Sequence, residues 1–203
     1  MVYFFVLFLC GACTPKIFKD LSSSGKKQIE KVDLFPFLVD SVEVFDMQIY
    51  YKKADFAGIL MIKPTENNSI RTLFTSVFGM VVFDFEFNET EFKVYRCIED
   101  LQKKKILNLF KKDFRALFLY NLPEVIIANV YEKEQMPVGY KIKTQDGKAY
   151  FLTNDKQLKK IEMPAFPTSL QIDYQNYNNN LPDNIVISHP GLKLKMQIER
   201  TIN

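Results

Sequence analysis

The chain has 203 residues, 47% of them apolar and 25% charged, the balance of a globular protein of one domain. A net charge of +3 is too small to drive nucleic-acid binding, so no nucleic-acid partner is expected. Nineteen Phe and ten Tyr stand beside no Trp and seven Gly, so the core, or a ligand cavity, is built from rings that each bury roughly 150–250 Å².

The chain opens on an uncharged apolar run that closes on Gly11-Ala12-Cys13 and gives way to Thr14-Pro15-Lys16. Such a run is well short of the ~20 apolar residues a spanning helix needs. Its layout is that of an export signal followed by a cleavage site of small residues. Gly11-Ala12-Cys13 resembles the end of a bacterial lipobox, which implies removal of residues 1–12 and acylation of Cys13. The alternative is an apolar N-terminus that packs on the domain. Residues 13–30 read as a tether, because Leu21-Ser22-Ser23-Ser24-Gly25-Lys26-Lys27 has the composition of a flexible linker, or in part as a short helix. Residues 31–203 then form one domain. With Cys10 removed and Cys13 acylated, Cys97 has no partner for an internal disulfide and reads as a small core residue.

From residue 41 onward the chain reads as strands. Residues 42–55 are extended, and Phe56 to Lys63 is rich in branched and aromatic residues. The polar turn 64–69 leads to a returning strand at Ile70–Thr75. Gly79 permits a bend. In the next strand Val81, Phe83, Phe85 and Phe87 alternate with Val82, Asp84 and Glu86, and the first set is expected to face the core. Residues 91–97 add a further strand. Over 100–119 the period changes: Leu101, Ile106, Leu109, Phe110, Phe114, Leu117 and Phe118 form one apolar stripe of a helix, with Asp100 as its N-cap and Asn121-Leu122-Pro123 as its stop. Lys103-Lys104-Lys105 and Lys111-Lys112 are the solvated face of that helix or a contact for anionic lipid headgroups. A second short helix is expected over Glu124–Tyr131. Strands then return: a hairpin turning at Gln145-Asp146-Gly147-Lys148, then 158–163, 170–174, 185–188 and 192–199, the last with Leu, Leu, Met and Ile against Lys, Lys, Gln and Glu. The expected fold is mainly β: an antiparallel, unclosed half-barrel with the helix covering its concave face.

Three short stretches carry a family resemblance. Phe56-Ala57-Gly58-Ile59-Leu60-Met61-Ile62, Phe78-Gly79-Met80-Val81-Val82-Phe83-Asp84, and the closing pair Leu181 to Ile187 with Leu192 to Glu199 resemble, in order, strands of the LolA/LolB-like outer-membrane lipoprotein carriers and receptors. The resemblance implies an apolar cavity under a helical lid. It also implies a periplasm-facing, lipid-anchored protein of the outer membrane that handles acyl chains of lipid or lipoprotein.

No catalytic constellation can be named, and neither a cofactor nor a metal is expected. The one histidine, His189, sits in Ser188-His189-Pro190-Gly191 and reads as a turn residue without a nucleophile in reach. Asp84 and Glu86 read as a solvated strand face that pairs with cations on a neighbouring strand. What remains is binding. Phe74, Phe83, Phe85, Phe110, Phe114 and Tyr150 are the candidate lining of an acyl-chain cavity, and the same rings suit a closed core equally well. A structural lipoprotein that docks on an envelope protein partner, without a cavity, is the alternative function. The anchor is testable by itself: Cys13→Ser should release the protein from the membrane fraction and change its gel mobility, whereas unchanged fractionation and mobility would remove the anchor.

Overall fold

The computed structural model describes residues 16–31, 34, 41–66, 68–164, 168–178 and 181–201. The apolar run 1–12 and Cys13 lie outside the described residues. Among the described residues a 3-10 turn at Lys16–Phe18 leads into thirteen strands and one α-helix. The strands are β1 (Ser22–Glu30), β2 (Glu43–Tyr51), β3 (Ala54–Pro64), β4 (Ile70–Ser76), β5 (Val81–Phe87), β6 (Phe92–Cys97), β7 (Val125–Lys133), β8 (Met136–Thr144), β9 (Gly147–Asn154), β10 (Gln157–Met163), β11 (Leu170–Asn178), β12 (Leu181–His189) and β13 (Leu194–Arg200). The helix, α1, spans Lys104–Leu117 between β6 and β7.

All thirteen strands belong to one antiparallel sheet, in the order β1-β7-β8-β9-β10-β11-β12-β13-β2-β3-β4-β5-β6. The sheet is not closed, since β1 and β6 end the order and do not pair with each other. Most connections are hairpins, the short links that antiparallel pairing allows. Two are not. The chain crosses from β1 to β2 and, through α1, from β6 to β7, and those two excursions bring β13 beside β2.

Alternation builds the buried face. In β2 Phe45, Met47, Ile49 and Tyr51 are buried, and in β13 Leu194, Met196 and Ile198 are buried between Lys195, Gln197 and Glu199. In β5 Phe83, Phe85 and Phe87 are buried as the pattern predicts, but so is Val82, while Val81 is only half-buried. A bulge explains the slip: Phe74 pairs with Phe83 and Thr75 with Val81, which leaves Val82 as the extra residue. Behind this face Asp84 pairs with a cation on the neighbouring strand as expected, whereas Glu86 pairs with a hydroxyl. Arg71 of β4 grips Asp84 of β5 with Nε to Oδ1 at 2.8 Å and a second nitrogen to Oδ2 at 2.6 Å, and Tyr95 of β6 donates to Glu86 at 2.8 Å. Cys97 is half-buried against the core, and burial pushes its thiol up to about 11.

Three expectations are corrected here. Residues 22–30, read as part of a flexible tether, form β1, an edge strand paired with β7 from Ser22–Glu132 to Glu30–Val125. An edge strand needs backbone pairing but little apolar cover, and its exposed Lys26 and Lys27 are the kind of charge that blunts an edge; Lys27 also pairs with Glu132 at 2.8 Å. The segment Glu124–Tyr131, read as a second helix, lies in β7, where Ile126, Ala128 and Val130 are buried at a spacing of two. Finally, α1 starts at Lys104, not at Asp100. The Ile98 amide still bonds to Val82, and Leu101 and Gln102 bond back to Ile98 and Glu99, so residues 98–102 are spent on turns. The helix has no side-chain N-cap. Its far end is better made: Leu119 N–H donates to Ala116 O at 3.2 Å and Tyr120 N–H to Arg115 O at 2.8 Å. Leu119, at φ 52°, fills the left-handed position usually held by Gly.

The helix packs on the sheet through rings. Phe83 lies 5.8 Å from both Phe110 and Phe114, Phe85 lies 5.7 Å from Phe110, and Phe87 lies 5.6 Å from Phe114, centroid to centroid. Phe83 also stacks on Phe85 at 4.5 Å and meets Phe74 at 5.5 Å, which makes it the centre of the cluster. Phe83→Ala should therefore lower stability by about 3–5 kcal/mol in urea denaturation, the range for an uncollapsed core cavity. Val94→Ala, on an exposed position of β6, should stay within about 0.5 kcal/mol. A small effect at Phe83 would mean that the ring cluster is not tightly packed.

Candidate functional site

Three cavities are described, of about 740, 650 and 410 Å³. The largest is the candidate site, since it combines an apolar lining with converging polar groups. It lies beside the first turns of α1, where several strand ends meet. The pairing of Tyr51 with Leu194, of Met163 with Leu170 and of Gln171 with Ser188 puts the β2–β3 turn, the β10–β11 connection and the β12–β13 turn at one end of the sheet. Each of these contributes to the wall: Tyr51 and Lys52, then Met163, Pro164, Thr168 and Leu170, then His189 and Leu192.

The helix supplies the opposite wall, and its periodicity shows how. Lys105, Asn108, Leu109 and Lys112 line the cavity. They fall at i, i+3, i+4 and i+7 and so share one side of the helix. Ile106, Phe110, Asp113, Phe114 and Leu117 form a neighbouring stripe that is buried. One stripe thus fixes α1 to the sheet and the other faces a cavity. Ile106 serves both, since it is buried and also lines the cavity.

Asp113 belongs to the buried stripe, although it is a carboxylate with no exposed surface. Its partner is His189, the last residue of β12 and only 2% exposed. His189 Nε2 lies 2.9 and 3.0 Å from the two Asp113 oxygens, and Nδ1 lies 3.1 Å from the Ser169 carbonyl oxygen. A carbonyl can only accept, so Nδ1 carries a proton. Nε2 and the Asp113 carboxyl share a second proton, so the pair as a whole is neutral. Burial works against a charge on His189, but the bond to Asp113 and the negative charge of its carboxylate outweigh it and hold the His189 pKa above its ordinary value. Burial also raises the Asp113 pKa, against the pull of His189. The pair therefore keeps its shared proton to higher pH than either group would alone.

The residues singled out in the sequence fall into two groups. Phe74, Phe83, Phe85, Phe110 and Phe114 come together, but as a filled cluster with no exposed surface, and none of them lines any of the three cavities. Strand and helical periods placed them on inward faces; neither could say whether the space between them was filled. Tyr150, the sixth, stands apart. Its ring packs at 5.6 Å against Phe18, whose own ring lies 4.5 Å from Tyr131. Sequence reasoning missed the lining residues of β10–β11 and β12–β13, and it misplaced His189, which ends a strand and is bonded into the core. Asp113 lies 76 residues from His189 in the chain, so local pattern carried no signal of their pairing beyond the oddity of a carboxylate on the apolar side of a helix. Among the described residues no three His, Cys, Asp or Glu side chains converge as a metal site, and no helix is long and apolar enough to cross a membrane.

The buried pair makes stability depend on pH. A folded His pKa raised above the unfolded value of ~6.5 contributes stability that is complete below that value and is lost as pH climbs through the folded pKa. The raised Asp113 pKa acts in the same direction. The urea midpoint should therefore fall as pH rises from near 6 into the alkaline range, and His189→Gln should flatten that fall. A wild-type midpoint that rises or stays level over this range would mean that the pair does not hold its proton.

No protein-family model matches the chain and no curated protein matches it.

Proposed function

We propose that this is a lipid-anchored envelope protein, facing the periplasm from the outer membrane, that binds acyl chains of a lipid or lipoprotein without catalysing a reaction. The observation that carries the binding half is the lining of the cavity beside α1: Tyr51, Ile106, Leu109, Met163, Leu170 and Leu192 offer an apolar surface at the junction of helix and sheet. Apolar burial is non-directional and stabilises by roughly 25 cal/mol per Å², so such a surface suits a chain of methylenes better than a polar metabolite. In this reading α1 lies over the concave side of the open sheet as a lid, as in the LolA/LolB-like group. The unclosed strand order and the ring contacts between α1 and β5 support that placement.

The anchor half rests on Cys13. Phe18, five residues later in the sequence, is buried against Tyr131. At ~3.3–3.6 Å per residue the domain would stand within about 18 Å of the acylated residue. A domain held this close to the bilayer is suited to exchanging chains with it.

A second reading, docking on an envelope protein partner, is favoured by the β4–β5 hairpin tip. There Val77 and Met80 are exposed and Phe78 is 94% exposed. Apolar tips of this kind mark interaction surfaces.

The test is titration of the full chain with a fluorescent fatty acid. Binding should occur, and Leu109→Asp, on the cavity side of α1, should weaken it by more than about tenfold, the effect of placing a carboxylate in an apolar site, with the circular dichroism unchanged. Absence of binding, or binding that Leu109→Asp leaves intact, would overturn the acyl-chain reading. Loss of a cross-linked envelope partner on Phe78→Ser would then favour the second.

A further inference from the structure

We propose that the ligand of the α1 cavity is a single-chain amphiphile with an anionic headgroup, held at the rim by lysines while its chain lies on the apolar lining. This rests on the acyl-chain reading above and adds the chemistry of the headgroup.

The rim is lopsided in charge. Lys103, Lys104 and Lys105 from the start of α1, Lys112 from its cavity side and Lys52 from the β2–β3 turn all line the cavity, and all five are exposed. None forms an ion pair with a carboxylate among the described residues. Lys52 instead stands over the Tyr51 ring at 5.1 Å. The opposing charge at the rim is Asp146, which has one oxygen without a hydrogen-bond partner. His189 also reaches the wall, but its charge is answered by Asp113.

Three consecutive lysines are poorly placed for the helix itself. The N-terminal end of a helix carries roughly half a positive charge, so cations there are unfavourable and acids favourable. α1 has no acidic residue in its first turn and no side-chain cap. A local rule broken this way, with no compensating ion pair among the described residues, is expected where a ligand completes the site. An anion at the rim would relieve the repulsion among the lysines and gain from the helix end. Below it the apolar lining accepts a chain. A volume of about 740 Å³ falls within the range of sites for one small ligand, which favours one chain over two.

The discriminating experiment is calorimetric titration of the full chain with lysophosphatidylglycerol and lysophosphatidylcholine carrying the same saturated chain, each below its critical micelle concentration. The anionic lipid should bind about tenfold tighter at low salt, from lysine contacts of the usual strength, and the gap should narrow as salt is raised. The triple variant Lys103→Ala, Lys104→Ala, Lys105→Ala should bring the ratio of the two affinities to about one, with its circular dichroism unchanged. Equal affinities in the wild type would overturn the headgroup assignment and leave the chain site standing. A preference that survives in the triple variant would overturn the assignment to these lysines. Inorganic phosphate binding as tightly as the lipid would show an anion site without a chain. No binding of either lipid would overturn both this proposal and the reading beneath it.

Discussion

The structure depends on one contact: the rings of α1 against the rings of β5. A sheet of thirteen strands that does not close leaves an apolar face to be covered, and the single described α-helix is what Phe83, Phe85 and Phe87 meet. Each aromatic ring buries roughly 150–250 Å², and edge-to-face and offset pairs add to that burial. The contact fixes one stripe of the helix. Everything else about the helix follows from its periodicity, since the neighbouring stripe at Lys105, Asn108, Leu109 and Lys112 is carried past the packed cluster to the strand ends. The cavity is thus a consequence of a helix that is tightly held along one side and unsupported along the next.

A second attachment lies between cluster and cavity. Asp113 and His189 join the middle of α1 to the end of β12, and His189 is at once a core residue and part of the cavity wall. Buried ion pairs of this kind are weak contributors to net stability but strongly destabilising when one partner is lost, by about 3–5 kcal/mol. Their service here is positional. The pair opposes sliding or rotation of α1 on the sheet, because either movement would leave buried polar groups unpaired. It also ties Ser169, in the β10–β11 connection, to the same point through Nδ1.

What could be read in the sequence was whatever repeats along it. Strand period showed the inward faces of β5 and β13, and helical period showed the buried stripe of α1 at Phe110, Phe114 and Leu117. Where a segment fits two periods the reading failed: Val125 to Val130 is apolar enough for either element, and pairing with both β1 and β8 made it a strand. Where a strand has little apolar face the reading also failed, as for β1, which is held mainly by its backbone pairing with β7. The candidate site was the least legible part. Periodicity assigns a side chain to a face, but whether facing side chains fill the gap depends on the curvature of the sheet, and that is set by bulges and registers spread over the whole chain. The phenylalanines therefore proved to be the filling, and the cavity formed where turns from distant parts of the sequence meet one lysine-rich helix end.

The most direct measurement of whether that cavity takes a chain is methyl NMR of the methionines in the presence of a spin-labelled fatty acid. Met163 lines the cavity, Met196 is sealed in the core and Met80 is exposed on the β4–β5 hairpin tip, so the three report on three different places. A chain in the cavity predicts strong broadening of the Met163 methyl signal, with Met196 and Met80 left sharp. Broadening of Met80 with Met163 unaffected would contradict the cavity as the binding site, and so would three signals that do not change.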